Sequence, residues 1–326
     1  MQLPYPLQDR FYRYNYFLRK KFGAKVYKIT VDAGFTCPTR DGTLGTNGCL
    51  YCNNLSFSTD RREGLMPVEE QVGRAIEILK RKKKVEKFLV YFQSYTNTYA
   101  SVSELEKIYS KALTFKDVVG ICIGTRPDCI DDDILTMLSN VNKDYFVSIE
   151  YGVESVYNKN LLWANRGHDF KTSIIAIEKT YKYGLDIAIH IIFGFPDESN
   201  EDVLNSAKVI NRLPINSIKI HNLHVVKCTP LENYYKKKPF KLYSEEEWIL
   251  LMADFLELLR PDIVIQRLIG EAKNNTLVAP RWKMPKQKIV AEIKKILESR
   301  ETFQGYKYME RKEKLEVLED VKDKKL

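Results

Sequence analysis

YFVSIEYGVESVYNKNLLWANRGHDFKTSIIAIEKTYKYGLDIAIHIIF, residues 145–193, reads as a strand–helix–strand unit. Tyr145–Tyr151 and Leu185–Phe193 are short β-rich apolar runs, and Phe170–Tyr183 between them spaces its apolar residues as a helix does. A helix of that length suits the right-handed crossover that joins neighbouring parallel strands. The alternation continues on both sides. Further strands are predicted at Ala24–Asp32, Lys87–Gln93, Val118–Gly124 and Asn216–Leu223, and helices at Val68–Lys82, Val102–Leu113, Asp131–Leu138 and Glu201–Leu213. Six strands mostly separated by helices predict an α/β fold, either a parallel barrel or an open parallel sheet. Such folds place their chemistry at the carboxyl ends of the strands, so functional motifs are expected just after each one.

Outside this core, Gln8–Phe22 reads as a basic, aromatic-rich helix. After the sixth strand come a Lys/Tyr stretch (Tyr234–Tyr243), a helix (Glu245–Leu259), a seventh strand candidate (Asp262–Leu268), a helix at Lys286–Ser299 and a charged tail from Arg300. The expected organisation is an N-terminal helical extension (1–23), a core barrel (24–230) and a C-terminal α/β extension (231–326). With 326 residues, 44% of them hydrophobic and 29% charged, the chain can bury a sizeable core. No secretory leader and no membrane-length apolar run is visible, so a cytoplasmic location without membrane association is expected. There thiols stay reduced, and the six cysteines read as metal-binding or catalytic before they read as disulfides. The net charge of +9 permits a polyanionic partner without requiring one.

CPTRDGTLGTNGCLYC follows the first strand, with cysteines at 37, 49 and 52. Cys49 and Cys52 have the two-residue spacing that brings two sulfurs to one metal centre. Cys37 is the third, on a loop whose Gly42, Gly45 and Gly48 let the backbone curl around a bulky group. A structural zinc site closes with a fourth ligand, usually nearby, but the next cysteine is Cys122 and the first histidine His168. Three thiolates therefore fit a four-iron cluster with one iron open to a ligand. Zinc recruiting a distant histidine is the alternative.

The stretches CPTRDGTLGTNGCLYCNN, YFQSYTNTYA, GTRPDCI, EYGVES, NRGHDF, HIIFGFPDES and LHVVKCTPLENYY together resemble the radical S-adenosylmethionine superfamily. The branch they resemble is the one related to the catalytic subunit of Elongator, in particular the bacterial YhcC/YtqA-type (MnmL-like) proteins. The cysteine spacing departs from the commoner three-then-two pattern by its longer loop. Gln93-Ser94-Tyr95 stands where Gly-Gly-Glu is usual, and too few residues remain for an acetyltransferase domain. The resemblance implies a partial parallel (β/α)6 barrel of radical S-adenosylmethionine type. It implies a [4Fe–4S] cluster on Cys37, Cys49 and Cys52, S-adenosylmethionine on the open iron, a 5′-deoxyadenosyl radical, and a reductant protein of flavodoxin or ferredoxin type.

It also implies roles for the motifs after the later strands. Gln93 and Ser94 would meet the methionyl ammonium, Thr125 with Arg126 and Asp128 the adenosine or substrate, Glu154 and Ser155 the ribose, and Arg166 the methionine carboxylate. His190 and Gly194 would lie at the adenine, although a strand histidine is as often a core residue, Ser155 a helix cap, and Arg126–Asp128 a brace for Pro127. His221, His224 and Lys227 crowd the sixth strand mouth as a catalytic or proton-relay set, with Arg267 and Glu271 able to close that pocket.

Basic residues interleave with aromatics in Arg10–Lys21, Tyr234–Tyr243 and Arg281–Lys288, a pattern that suits RNA and equally suits lysine stems lying over apolar surface. The resemblance points to tRNA, with wobble-uridine C5 as the target and conversion of a 5-carboxymethylaminomethyl arm toward aminomethyl as the expected step. The competing readings are a radical enzyme acting on a small metabolite and a zinc-stabilised RNA-binding protein.

Overall fold

A computed structural model describes residues 2–53, 65–83, 85–272 and 275–310. Seven strands form one parallel sheet: β1 (Val26–Val31), β2 (Lys87–Phe92), β3 (Val118–Thr125), β4 (Phe146–Glu154), β5 (Asp186–Phe193), β6 (Ser217–Asn222) and β8 (Val264–Arg267), in that spatial order. The sheet is curled into a half-barrel. A second, antiparallel ribbon pairs β7 (Val225–Val226) with β9 (Leu277–Ala279).

Each large strand divides its residues by the two-residue period of the pleat. Val147, Ile149, Tyr151 and Val153 of β4, and Ile187, Ile189, Ile191 and Phe193 of β5, enter the main core beneath the helices. The intervening positions face the barrel interior and carry a different chemistry: Lys28, Tyr91, Cys122, Glu150, His190 and Lys219.

The crossover helices cover the outer face: α2 (Val68–Lys83), α3 (Val102–Leu113), α4 (Asp132–Val141), α6 (Phe170–Lys182) and α7 (Asn200–Ile210). Their starts are set by sequence. Ser101 and Ser199 head capping boxes with Glu104 and Asp202, while the Asp131 and Asp169 side chains accept from the N–H groups of Ile134 and Thr172. Helix α9 (Glu245–Leu258), opened by the Ser244–Glu247 box, buries Trp248, Leu251, Met252, Phe255 and Leu256 and packs against α7 and α10 (Lys286–Ser299).

Two expectations change. The seventh strand candidate joins the main sheet through β6, so the barrel has a seventh stave and the sheet crosses the boundary expected at residue 230. Gln8–Phe22 is not one helix: a 3-10 turn at Leu7–Asp9 ends with Arg10 at φ 63°, and α1 spans only Tyr14–Phe22. The break lets the Tyr12 carbonyl accept from the Ile265 N–H at 2.7 Å, lashing the N-terminal segment to β8. Helix α1 then seals the amino-terminal end of the barrel, with Leu18, Tyr14 and Phe17 packed on Leu89, Tyr91 and Cys122. The sequence reading passed over α5 (Asn158–Trp163), α8 (Pro230–Lys237) and the β7–β9 ribbon. The expected charged tail lies outside the described residues from 311 onward. No helix among the described residues is long and apolar enough to cross a membrane.

Candidate functional site

A cavity of about 240 Å³ opens at the carboxyl ends of the strands. Cys37, Cys49 and Cys52 line one part of it, and Tyr91, Glu150, His190, Lys219, His221 and Arg267 line another.

The cysteine loop is held by its own backbone and by the segment after β4. Arg40 and Asp41 N–H groups donate to the Cys37 carbonyl, and Cys52 N–H to that of Cys49. Leu50 N–H donates to Ala164 O at 3.0 Å and the Asn165 amide to Gly48 O at 3.0 Å, so the turn after α5 braces the loop. Three guanidinium groups surround the thiols. Arg40 donates to Cys52 O at 2.6 Å, Arg166 reaches Cys49 Sγ at 3.5 Å, and Arg126 also lines the cavity. Burial raises the Cys37 thiol, but the Thr39 and Thr96 hydroxyls and Arg126 outweigh it and leave its pKa below the ordinary value. Burial and the neighbouring Cys49 push Cys52 up to about 11.

This donor set fits an iron–sulfur cluster: three reduced thiols open to one cavity, ringed by cations that offset thiolate charge. Among the described residues no three His, Cys, Asp or Glu side chains converge on a single metal ion. A cubane takes each thiolate on a different iron, so its sulfurs do not share one centre. Buried polar atoms without partners accompany the thiols, namely Arg126 Nη1 and Arg166 Nε.

Gln93, Thr125, Glu154, Arg166, His190, His221 and His224 line the cavity with the cysteines, as do Arg126, Arg267 and Glu271. Glu154 is held at φ 67°, a conformation costly for a residue with a Cβ, and burial raises its carboxyl pKa against the pull of Arg166 and Arg126. Arg126 grips Asp128 through two bonds, Nε–Oδ1 2.8 Å and Nη2–Oδ2 2.7 Å, which is the proline-turn brace. Arg166 is already committed: Nη2 donates to Gly152 O at 2.7 Å while Nη1 faces Cys49. It straps the cysteine loop to β4, while its Nε is buried without a partner on the cavity wall where the methionine carboxylate was expected.

Four expected site residues lie off the cavity wall. The Ser155 hydroxyl accepts from Tyr157 N–H at 3.1 Å and the Asn160 amide at 3.0 Å, so it organises the start of α5. Gly194, at φ 98°, is a turn residue whose N–H donates to Glu198, with the Tyr243 ring closely packed on it. Ser94 is buried with an unpartnered hydroxyl, and Lys227 is exposed on the ribbon, its N–H donating to Thr276 O.

The sequence reading missed the centre of the interior. The Glu150 side chain, fully buried, accepts from Lys28 Nζ at 2.5 Å and from the Lys219 ammonium, and pairs with His190 Nε2 at 3.1 Å. Lys28 also donates to Gln266 Oε1 at 2.9 Å, and Lys219 lies 4.1 Å from the Tyr91 ring centroid. Burial would raise the Glu150 carboxyl, but Lys219 and Lys28 hold it well below the ordinary range. Burial, with Lys28 and Arg267 close by, pushes Lys219 down to about 7 against Glu150. Burial with Lys219 lowers His190 to about 4, so it is neutral at neutral pH. A single charge on the inner-facing positions of β1, β4 and β6 was the available signal.

Comparison with known proteins matches residues 43–210 to the Radical SAM superfamily and 215–299 to the Radical_SAM C-terminal domain. YtqA of Bacillus subtilis is 34% identical over 321 residues, covering 97% of this chain and 98% of its own. A tRNA uridine(34) acetyltransferase of Methanocaldococcus infernus is 33% identical over 157 residues, 47% of this chain and 28% of that protein. Among solved structures, the archaeal Methanocaldococcus infernus Elp3 superposes with a TM-score of 0.67 at 20% identity, over 86% of this chain. The match spans 64% of that structure's length, less than two thirds, and the likeness is one of fold.

Proposed function

This chain belongs to the Radical SAM superfamily, and from that premise we propose that it is a tRNA-modifying enzyme acting on the C5 side chain of wobble uridine. Three thiols presented at the carboxyl-terminal mouth of a curled parallel sheet, beside a cavity lined by titratable side chains, carry the reading. The cofactors of this family are a [4Fe–4S] cluster and S-adenosylmethionine, and Cys37, Cys49 and Cys52 would hold the cluster. When bound and reduced by an external donor such as a flavodoxin or ferredoxin, they would supply the hydrogen-abstracting radical chemistry of the family.

The chain's own residues prepare that event. Arg166 and Arg40 fix the cysteine loop, Glu154 and Gln93 offer polar groups for the sulfonium ligand, and Tyr51 and Leu223 wall the cavity against water. Lys219, Glu150 and His190 keep a hydrogen-bonded interior behind it.

The RNA part of the proposal draws on the uridine-modifying relative and on where the basic segments fall. Helix α8 leans on the cysteine loop through Leu231 N–H to Leu50 O, and the ribbon touches it through the Asn53 amide to Lys227 O. Lys227, Lys237 and Lys238 on or beside these elements, and Lys283 in the segment after the ribbon, are exposed and make no ion pair among the described residues. Tyr234, Tyr235, Phe240 and Trp163 cluster beside them. Charge and rings together suit a nucleic-acid chain entering the mouth. The third basic segment, on α1, is at the opposite end of the barrel and has no part in this. Nucleoside mass spectrometry of tRNA from cells lacking the gene tests the proposal: accumulation of a 5-carboxymethylaminomethyl uridine is expected, and an unchanged wobble-uridine profile refutes it.

A further inference from the structure

Across β6 and β8, Lys219 and Arg267 are register partners, and both line the cavity. Adjacent cations on neighbouring strands repel unless an anion lies between them. Lys219 has Glu150, but that carboxylate is already shared with Lys28 and His190. Arg267, half-buried on the cavity wall, makes no hydrogen bond or salt bridge among the described residues, so its guanidinium donors have no protein acceptor there. Glu271, the other nearby carboxylate, is tied to Lys286 at 3.0 Å. Next to this pair His221 stacks on His190, with ring centroids 5.7 Å apart, and its Nε2 is sealed from solvent with no partner. A guanidinium, an ammonium and an orphaned imidazole nitrogen thus line one wall.

We propose that Arg267, supported by Lys219 and His221, forms a subsite for a carboxylate carried by the substrate. A planar two-oxygen anion matches the guanidinium fork, and a single negative charge suits a network that already contains Glu150. The assignment deepens the function proposed above and rests on it: there the anion is the carboxymethyl end of the uridine C5 arm. Arg267 is a binding residue for that end, set apart from the cysteines that hold the cluster.

The test is 13C-acetate line broadening with the full-length, cluster-reconstituted protein, in the presence and absence of inorganic phosphate. Wild type is expected to broaden the acetate line, Arg267→Gln to weaken binding at least tenfold, and Arg267→Lys to retain part of it with the same urea midpoint as wild type. Phosphate is expected to compete only at tenfold or higher concentration. Unchanged acetate binding in Arg267→Gln, or displacement by phosphate at equal concentration, overturns the subsite. Acetate binding through Arg267 alongside an unchanged wobble-uridine profile leaves the subsite in place and removes the tRNA reading. Altered uridine with no acetate binding overturns the subsite alone.

Discussion

Replacing Glu150 by Gln should be among the most destabilising conservative changes in the chain. The glutamine keeps the shape and removes the charge on which Lys28, Lys219 and His190 converge. Leaving buried charges without their partner costs about 3–5 kcal/mol. Lys219 relieves part of this: burial and its cationic neighbours already lower it to about 7, and without Glu150 it sheds its proton more readily. The low end, about 3 kcal/mol, is therefore expected at pH 8. With a urea slope of about 3 kcal/mol/M, the unfolding midpoint should fall by about 1 M. Circular dichroism during urea titration of both proteins measures it. The carboxyl also fixes the pH profile. Glu150 is held well below its ordinary value of 4.5, so in that window the unfolded chain binds more protons and stability rises with pH. The gap between wild type and Glu150→Gln should be largest between about pH 5 and 7, smaller at pH 8 where Lys219 sheds its proton, and close as pH falls through the folded-state pKa of Glu150. A midpoint shift under about 0.2 M at pH 8, or a gap that persists undiminished once pH falls below the folded-state pKa of Glu150, would refute the network's role.

Cys37→Ala, Cys49→Ala and Cys52→Ala should each abolish stable iron incorporation on anaerobic reconstitution, read by iron content, while the urea midpoint of the metal-free chain moves little. Gly120→Ala should destabilise by about 3 kcal/mol or more, because a Cβ there collides with the backbone of Phe146 on the neighbouring strand; thermal unfolding measures it. Charge reversal at Lys237, Lys238 and Lys283 should weaken tRNA binding at least tenfold in a fluorescence-anisotropy titration, whereas reversal of Arg19 and Lys20 on α1 should not; equal losses would dissolve the distinction between the two ends of the barrel.

The strand–helix alternation from β1 to β6 was legible because strands buried on their helix-facing side are written in β-branched residues, and capped amphipathic helices separate them. The cysteine loop was legible because metal spacing is local. What stayed hidden depended on partners distant in sequence. Lys28, Glu150 and Lys219 each look like an isolated charge in a strand, and only the curl of the sheet brings them together over separations of 122 and 69 residues. The strap from Arg166 to the cysteine loop was hidden because nothing in NRGH reveals that Cys49 stands 117 residues earlier and within its reach. Helix α8 was masked by its lysines and tyrosines, although Thr229 before Pro230 is a start signal that could have been read.

The first and last staves of the sheet, β1 and β8, are not paired with each other. A side-chain bridge runs from Lys28 to Gln266 between them, with the N-terminal segment laced across one end. A closed cylinder admits only what threads its bore, and it cannot widen without tearing a backbone ladder. An open cylinder joins its edges through side chains and the N-terminal segment instead, so its bore is set by packing and not by a closed backbone ladder.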